Sequence, residues 1–359
     1  MVPILLPAVM PDETISSYVM RVGLLADASL PRTLYRALFG AAWRAPHAQL
    51  PTSLHALAAA TACVTLTPQP EHWLTKHTLF PYFASVATPA AATVLATRML
   101  IPRIGPVRPV HALTTDEWRI RVARTCHECM AEDLRTIGFT YIRRRFMIPY
   151  VSRCTLHGAR LIEVTTWTPV GLKREATHKI TDRFDQQINS NRFAKVSEAL
   201  LFQEPGSART AVKDALRSRG FLTKSGRLRA AQLSEALRSR FDAGFDDDHL
   251  NNLVSSESGL KVLTRCFGNR RKFIHPVAAV LLLAADSYVH TAVSEHPAAK
   301  SVVRGRGKRL VIERTNQALQ LIANGTTLSA ASAQVGISVT TLTLAARRVG
   351  LSYVHAPRP

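Results

Sequence analysis

Apolar positions along this chain recur mostly at helical spacing, with few stretches of strand-like alternation. After an opening punctuated by Pro3, Pro7 and Pro11, apolar residues fall at Ile15, Tyr18, Val19 and Val22, one stripe of a helix. Asp12 stands where that helix wants an N-cap, and Ser16, Ser17 and Arg21 are expected to face away from the stripe. Further helices are predicted around 31–40 and 52–62, and the Pro-rich stretch 101–109 marks a boundary. A compact cysteine-bearing segment covers about 118–165, followed to about 200 by a polar, weakly patterned stretch. Several helices separated by Gly220, Gly226, Gly244 and Gly268 then run from 207 to 293. Among them Val277–Ala285 is apolar throughout. It is far shorter than the roughly 20 residues of a membrane span and reads as a buried helix. No repeat of fixed period is present.

The most legible pattern lies near the end. Val311, Ala318, Leu319 and Ile322 make one helical stripe, stopped by Asn324-Gly325. Thr327 can cap a second helix with Leu328, Ala331 and Val335 inward. Gly336 makes the turn and Ser338 caps a third helix, whose Val339, Leu342, Ala346 and Val349 share one face. Its remaining surface is Thr340, Thr341, Thr343, Arg347 and Arg348, and basic Arg304, Arg306, Lys308 and Arg309 precede the unit. A short helix, a glycine turn and a helix with polar and basic outward residues describe a helix-turn-helix. A three-helix bundle for protein contacts is the other reading. A weaker candidate covers 207–240, where Lys224, Arg227 and Arg229 lie between two helical segments; a second helix-turn-helix and a solvated helical hairpin fit it equally.

The fold expected is therefore mainly α and multi-domain, with a zinc-finger segment and a C-terminal helix-turn-helix. Its parts are an N-terminal domain 1–110, the cysteine segment 111–165, a helical domain 166–293, a basic linker 294–309 and the C-terminal unit 310–359.

Composition adds a partner. The 359 residues are 47% hydrophobic and 20% charged, which is globular rather than disordered, and 46 Lys+Arg against 25 Asp+Glu leave a net charge of +21. Such a surplus points to a polyanion, because Lys and Arg that neutralise phosphates release condensed counterions. A basic protein that is merely soluble, or one docking on an acidic protein, is the bland alternative. The surplus is uneven: residues 1–100 carry 6 basic and 4 acidic residues, residues 301–359 carry 8 and 1. With no basic segment ahead of the opening apolar residues and no membrane span, a cytoplasmic protein is expected.

Chemistry concentrates in one place. Cys126-His127-Glu128-Cys129 and, 24 residues on, Cys154-Thr155-Leu156-His157 form two knuckles with two-residue spacers, followed by Gly158. Four such ligands satisfy tetrahedral zinc and leave no open position for water, so a structural rather than hydrolytic ion is expected. A redox CxxC would need no second knuckle. Cys63 and Cys266 read as core thiols. The spacer between the knuckles has room for a helix and a strand. No Gly-rich phosphate loop or GxSxG occurs, and Asp246-Asp247-Asp248, the one acidic cluster, reads as capping and solubility. No catalysis is expected; a metal-dependent nuclease or recombinase is the alternative of another class.

Two stretches resemble the TniQ/TnsD family of transposon target-selection proteins. Leu6-Pro7, then Pro11-Asp12-Glu13-Thr14-Ile15-Ser16-Ser17-Tyr18 and Arg21, is similar to that family's opening. Cys126-His127-Glu128-Cys129, Asp133, Tyr141, Arg143, Phe146 and Cys154-Thr155-Leu156-His157-Gly158 is similar to its zinc segment. His127 stands where proline is usual and Tyr18 where tryptophan is. The resemblance covers roughly 3–162, and His275-Pro276 before Leu281-Leu282-Leu283 looks more loosely like TnsD. It implies a non-catalytic target selector that recognises DNA or a CRISPR effector complex, with a homodimer possible in the second case. It further implies recruitment of a TnsC-like AAA+ ATPase, with the weakly basic N-terminal segment as the surface offered to it.

Overall fold

The computed structural model describes residues 6–25, 31–40, 49–62, 69–101, 123–168, 171–174, 184–267, 274–285, 321 and 328–335. The chain divides into two compact units, Met1–Val289 and His290–Pro359.

The first unit is helical. Its leading part contains α1 (Ile15–Leu25), α2 (Pro31–Phe39), α3 (Leu54–Thr61), α4 (Pro70–Lys76), α5 (Phe80–Ala84) and α6 (Pro89–Leu100). The α1 stripe packs as its spacing predicts, with Ile15, Tyr18, Val19 and Val22 buried. Two details differ from the sequence reading. Thr14, not Asp12, caps the helix, its hydroxyl accepting from the Ser17 amide at 3.2 Å. Ser17 and Arg21 are buried rather than turned to solvent, because both donate to the buried Glu13 carboxylate. Helices α4 to α6 drew no notice in the sequence, yet they supply the large buried rings Trp73, Tyr82 and Phe83.

A small antiparallel sheet follows, of β1 (Ala123–Thr125), β2 (Ile162–Thr168) and β3 (Gly171–Arg174) in that order. Helix α7 (His127–Ile137) leaves directly from β1 and stops at Gly138, whose φ of 78° a side chain would resist. Beyond the sheet come α8 (Phe184–Ala199), α9 (Ser207–Ser218), α10 (Ala230–Arg240), α11 (Asp248–Ser255), α12 (Glu257–Arg265) and α13 (Pro276–Ala285). The apolar run is indeed a buried helix: every residue from Val277 to Ala284 is buried, with α8, α9 and α10 packed on α13. No helix among the described residues is long and apolar enough to cross a membrane.

These later helices do not stand apart from the first 161 residues. The Gly206 amide donates to the Ala84 carbonyl at 3.0 Å, Arg209 to Ser85 at 3.0 Å and Ile274 to Val86 at 3.2 Å. The short segment after α5 is thus edged by backbone from α9 and from the entry to α13. In the second unit the described helix is α14 (Leu328–Val335), with Ala331 and Val335 buried as its spacing predicts. The flanking helices of the expected helix-turn-helix, with Ser338, Thr340, Thr341, Thr343, Arg347 and Arg348, lie outside the described residues, as do Arg304, Arg306, Lys308 and Arg309.

Candidate functional site

The two cysteine knuckles meet because of strand pairing. β1 runs into the first knuckle, and the second runs back toward β2, whose Ile162 pairs with Thr125, the residue before Cys126. Cys126 sits at the N-cap of α7 and Cys129 in its first turn. Cys154 and His157 occupy a tight turn closed by the Gly158 amide on the Cys154 carbonyl at 2.8 Å and by the Cys154 amide on the Ala159 carbonyl at 2.8 Å. Gly158 has φ 69°, the left-handed conformation the turn requires. Between the knuckles the expected helix is present. The expected strand is not: a 3-10 turn over Arg144–Met147 and isolated bridges take its place.

The four ligand atoms all lie within 4.8 Å of one another. Cys129 Sγ and Cys154 Sγ are 3.8 Å apart, and His157 Nδ1 is 3.5, 3.4 and 3.7 Å from Cys126, Cys129 and Cys154 Sγ. A tetrahedron with zinc–sulfur bonds of about 2.3 Å and a zinc–nitrogen bond of about 2.0 Å has S···S edges near 3.8 Å and S···N edges near 3.5 Å. The residues present therefore fit zinc, with His157 binding through Nδ1. The three sulfurs are buried and His157 is at the surface. An accepted bond from Cys129 and the amides of His157 and Leu156 hold the Cys154 thiol below the ordinary thiol range, whereas burial pushes Cys126 up. It is the only such group of His, Cys, Asp and Glu found among the described residues. Cys266 is partly buried against the core, as expected, and Cys63 lies outside the described residues.

Around the knuckles lies a network that the sequence did not announce. The Glu13 carboxylate is fully buried and accepts four bonds, two on each oxygen. Oε1 takes Ser17 Oγ at 2.9 Å and Arg21 Nε at 2.8 Å; Oε2 takes the Met10 amide at 3.0 Å and Arg21 Nη2 at 2.7 Å. All of its lone-pair sites are used. Asp12, at φ 61°, receives Arg144 Nε on one oxygen and Arg145 Nε on the other, both at 2.7 Å. Arg144 also reaches the Thr75 and Thr78 carbonyls, and Arg145 reaches Glu198 on α8 at 2.6 Å. Arg143 pairs bidentately with Asp133 of α7 at 2.8 and 2.6 Å. Backbone bonds from Thr14 to Ile142 and from Arg144 to Asp12 complete the join. The motif residues that carried the family resemblance are thus two halves of one buried seam. It fastens the opening segment to the zinc segment.

The acidic cluster is dispersed. Asp246 pairs with Arg153 beside the second knuckle, Asp247 caps α11 through the Leu250 amide at 2.9 Å, and Asp248 is exposed. The capping role agrees with the sequence reading; the pairing of Asp246 is new. The 207–240 candidate also takes a definite form. Its two helices are α9 and α10, joined by a short β-hairpin through a Leu222–Leu228 bridge, and both pack on α13, α10 also on α12. Lys224, Arg227 and Arg229 are all exposed on the hairpin.

Residues 4–161 match the family model TniQ. No curated protein matches the chain.

Proposed function

Because the chain belongs, through residues 4–161, to the TniQ family of transposition-associated target-selection or adaptor proteins, we propose that it selects insertion sites by binding target DNA. In this reading it recruits a TnsC-like AAA+ ATPase to that DNA and does no chemistry itself. It works in the bacterial cytoplasm, and its Cys3His centre holds a structural zinc. The zinc would supply rigidity: it pins α7 and the Cys154–Gly158 turn, on which Arg143 and Arg153 depend for their position. The observation that carries the reading is the buried seam. It builds the TniQ motif residues and the zinc knuckles into one rigid body, as a scaffold for partners requires.

DNA contact is assigned to the basic residues 304–309, to Ser338, Thr340, Thr341, Thr343, Arg347 and Arg348 of the C-terminal unit, and to Lys224, Arg227 and Arg229. The surplus of positive charge supports this assignment. A second reading, an adaptor on a CRISPR effector complex, rests on the same family membership. The test is recruitment. The purified ATPase should be retained on immobilised duplex DNA only when this chain is added. Retention that is equal without it would overturn the selector reading, and retention that requires a guide-loaded complex would favour the adaptor.

A further inference from the structure

The hairpin between α9 and α10 turns its leucines to the core and its cations to solvent. Its arms are tied by the Thr223 amide on the Arg227 carbonyl at 2.9 Å and the Arg229 amide on the Phe221 carbonyl at 2.8 Å. The tip turns through Gly226 at φ 76°. Leu222 and Leu228 face each other across the bridge and rest on the core. Strand alternation then sends Arg227 and Arg229 outward on one side, about 6.6 Å apart along the chain, while Lys224 and Ser225 crown the tip. Helix α9 adds exposed Lys213 and Arg217, one turn apart. From 213 to 229 the single carboxylate is Asp214, which takes Arg217 at 3.3 Å.

We propose that this hairpin, with the exposed face of α9, clamps the sugar-phosphate backbone of double-stranded DNA and supplies affinity rather than sequence choice. The proposal rests on the DNA-binding reading above and gives the middle of the chain its part in it. Clustered cations with a single acidic neighbour gain most from a polyanion, through counterion release. Duplex is favoured over single strand because non-specific single-strand sites stack bases on aromatic rings. Phe221 is the one aromatic residue between 207 and 240, and it is half-buried against the core. Phosphate is favoured over base edges because the tip hydroxyls are used within the turn: Thr223 Oγ1 takes the Arg227 amide at 3.0 Å and pairs with Ser225 at 2.9 Å. What remains to meet a ligand is charge.

The experiment measures the affinity of the full-length chain for labelled target and random duplexes across salt concentrations. It compares the native chain with the triple variant Lys224→Ala, Arg227→Ala, Arg229→Ala and the charge-preserving variant Arg227→Lys, Arg229→Lys. Each phosphate that is no longer neutralised should lower the log–log salt slope by about 0.9, so the triple variant should lose about 2–3 in slope. It should weaken both duplexes by the same factor, and the lysine variant should keep the native slope. An unchanged slope in the triple variant, with the native chain binding DNA steeply, would overturn the clamp and leave the DNA-binding reading standing. Loss of discrimination between target and random duplex would overturn it in favour of base reading. Native DNA binding with loss of ATPase association alone would assign the hairpin to an acidic protein. A native chain with no affinity for either duplex would overturn the clamp together with the reading it rests on.

Discussion

Glu13 shows how a single side chain can hold a domain together. Taking its carboxylate out of water is tolerable only because four donors surround it, so removing it leaves the Arg21 guanidinium buried without its counter-charge. Glu13→Ala is expected to cost about 3–5 kcal/mol, measured by chemical denaturation. His77 behaves differently. Its Nδ1 donates to the Glu13 carbonyl at 2.9 Å, and burial pushes it down to about 4. The folded state therefore prefers the neutral ring. Its contribution is fully present above the ordinary value of about 6.5 and is lost as the pH falls toward 4, amounting to about 3 kcal/mol. Acid also strips zinc from cysteine and histidine ligands, so the comparison is between the native chain and His77→Gln at matched pH. The variant should show the shallower loss of stability between pH 6.5 and 4, and parallel curves would refute this role.

At the scale of elements, the zinc knuckles were legible because two-residue spacers and a following glycine are local signals. Helix α1 and the apolar α13 were legible because their spacing and composition match what they bury. The seam was not. Asp12 looks like the cap of a solvated helix start until Arg144 and Arg145 arrive on its carboxylate from far along the chain, and no local pattern announces such partners. Helix α8 escaped notice for a related reason: its buried face includes Asn189, Ser190, Ala194 and Ser197 beside Phe193 and Val196. The hairpin between α9 and α10 was hidden because its two leucines are too few to show alternation. Two tests belong here. Cys126→Ser or Cys154→Ser should abolish bound zinc in elemental analysis and lower the melting temperature, since metal binding and folding are coupled. Gly259→Ala should cost about 1–3 kcal/mol in a denaturation series. A β-carbon there would stand 2.6 Å from the Asn252 carbonyl oxygen and 2.7 Å from Leu253 backbone, where α12 crosses α11.

At the scale of the whole molecule, residues 4–161 match the TniQ model, yet they are not a free-standing module. Arg145 with Glu198, Arg153 with Asp246, and the backbone bonds at Ala84, Ser85 and Val86 tie them to the helices that follow within one unit. On the proposed function, the charge gradient along the chain would divide the work, with the nearly balanced first hundred residues meeting a protein partner and the basic later regions meeting DNA. In the C-terminal unit, Arg347→Ala with Arg348→Ala should weaken duplex binding, as a gel-shift titration would show. Unchanged affinity would reassign that unit to protein contacts. The claim that this chain selects DNA targets is tested most directly by equilibrium binding of the full-length protein to an insertion-site duplex and a scrambled duplex, followed from low to physiological salt. The account predicts tighter binding to the insertion site and affinity for both that falls steeply with salt. Equal affinity for the two duplexes, or no salt-dependent affinity for either, would contradict it.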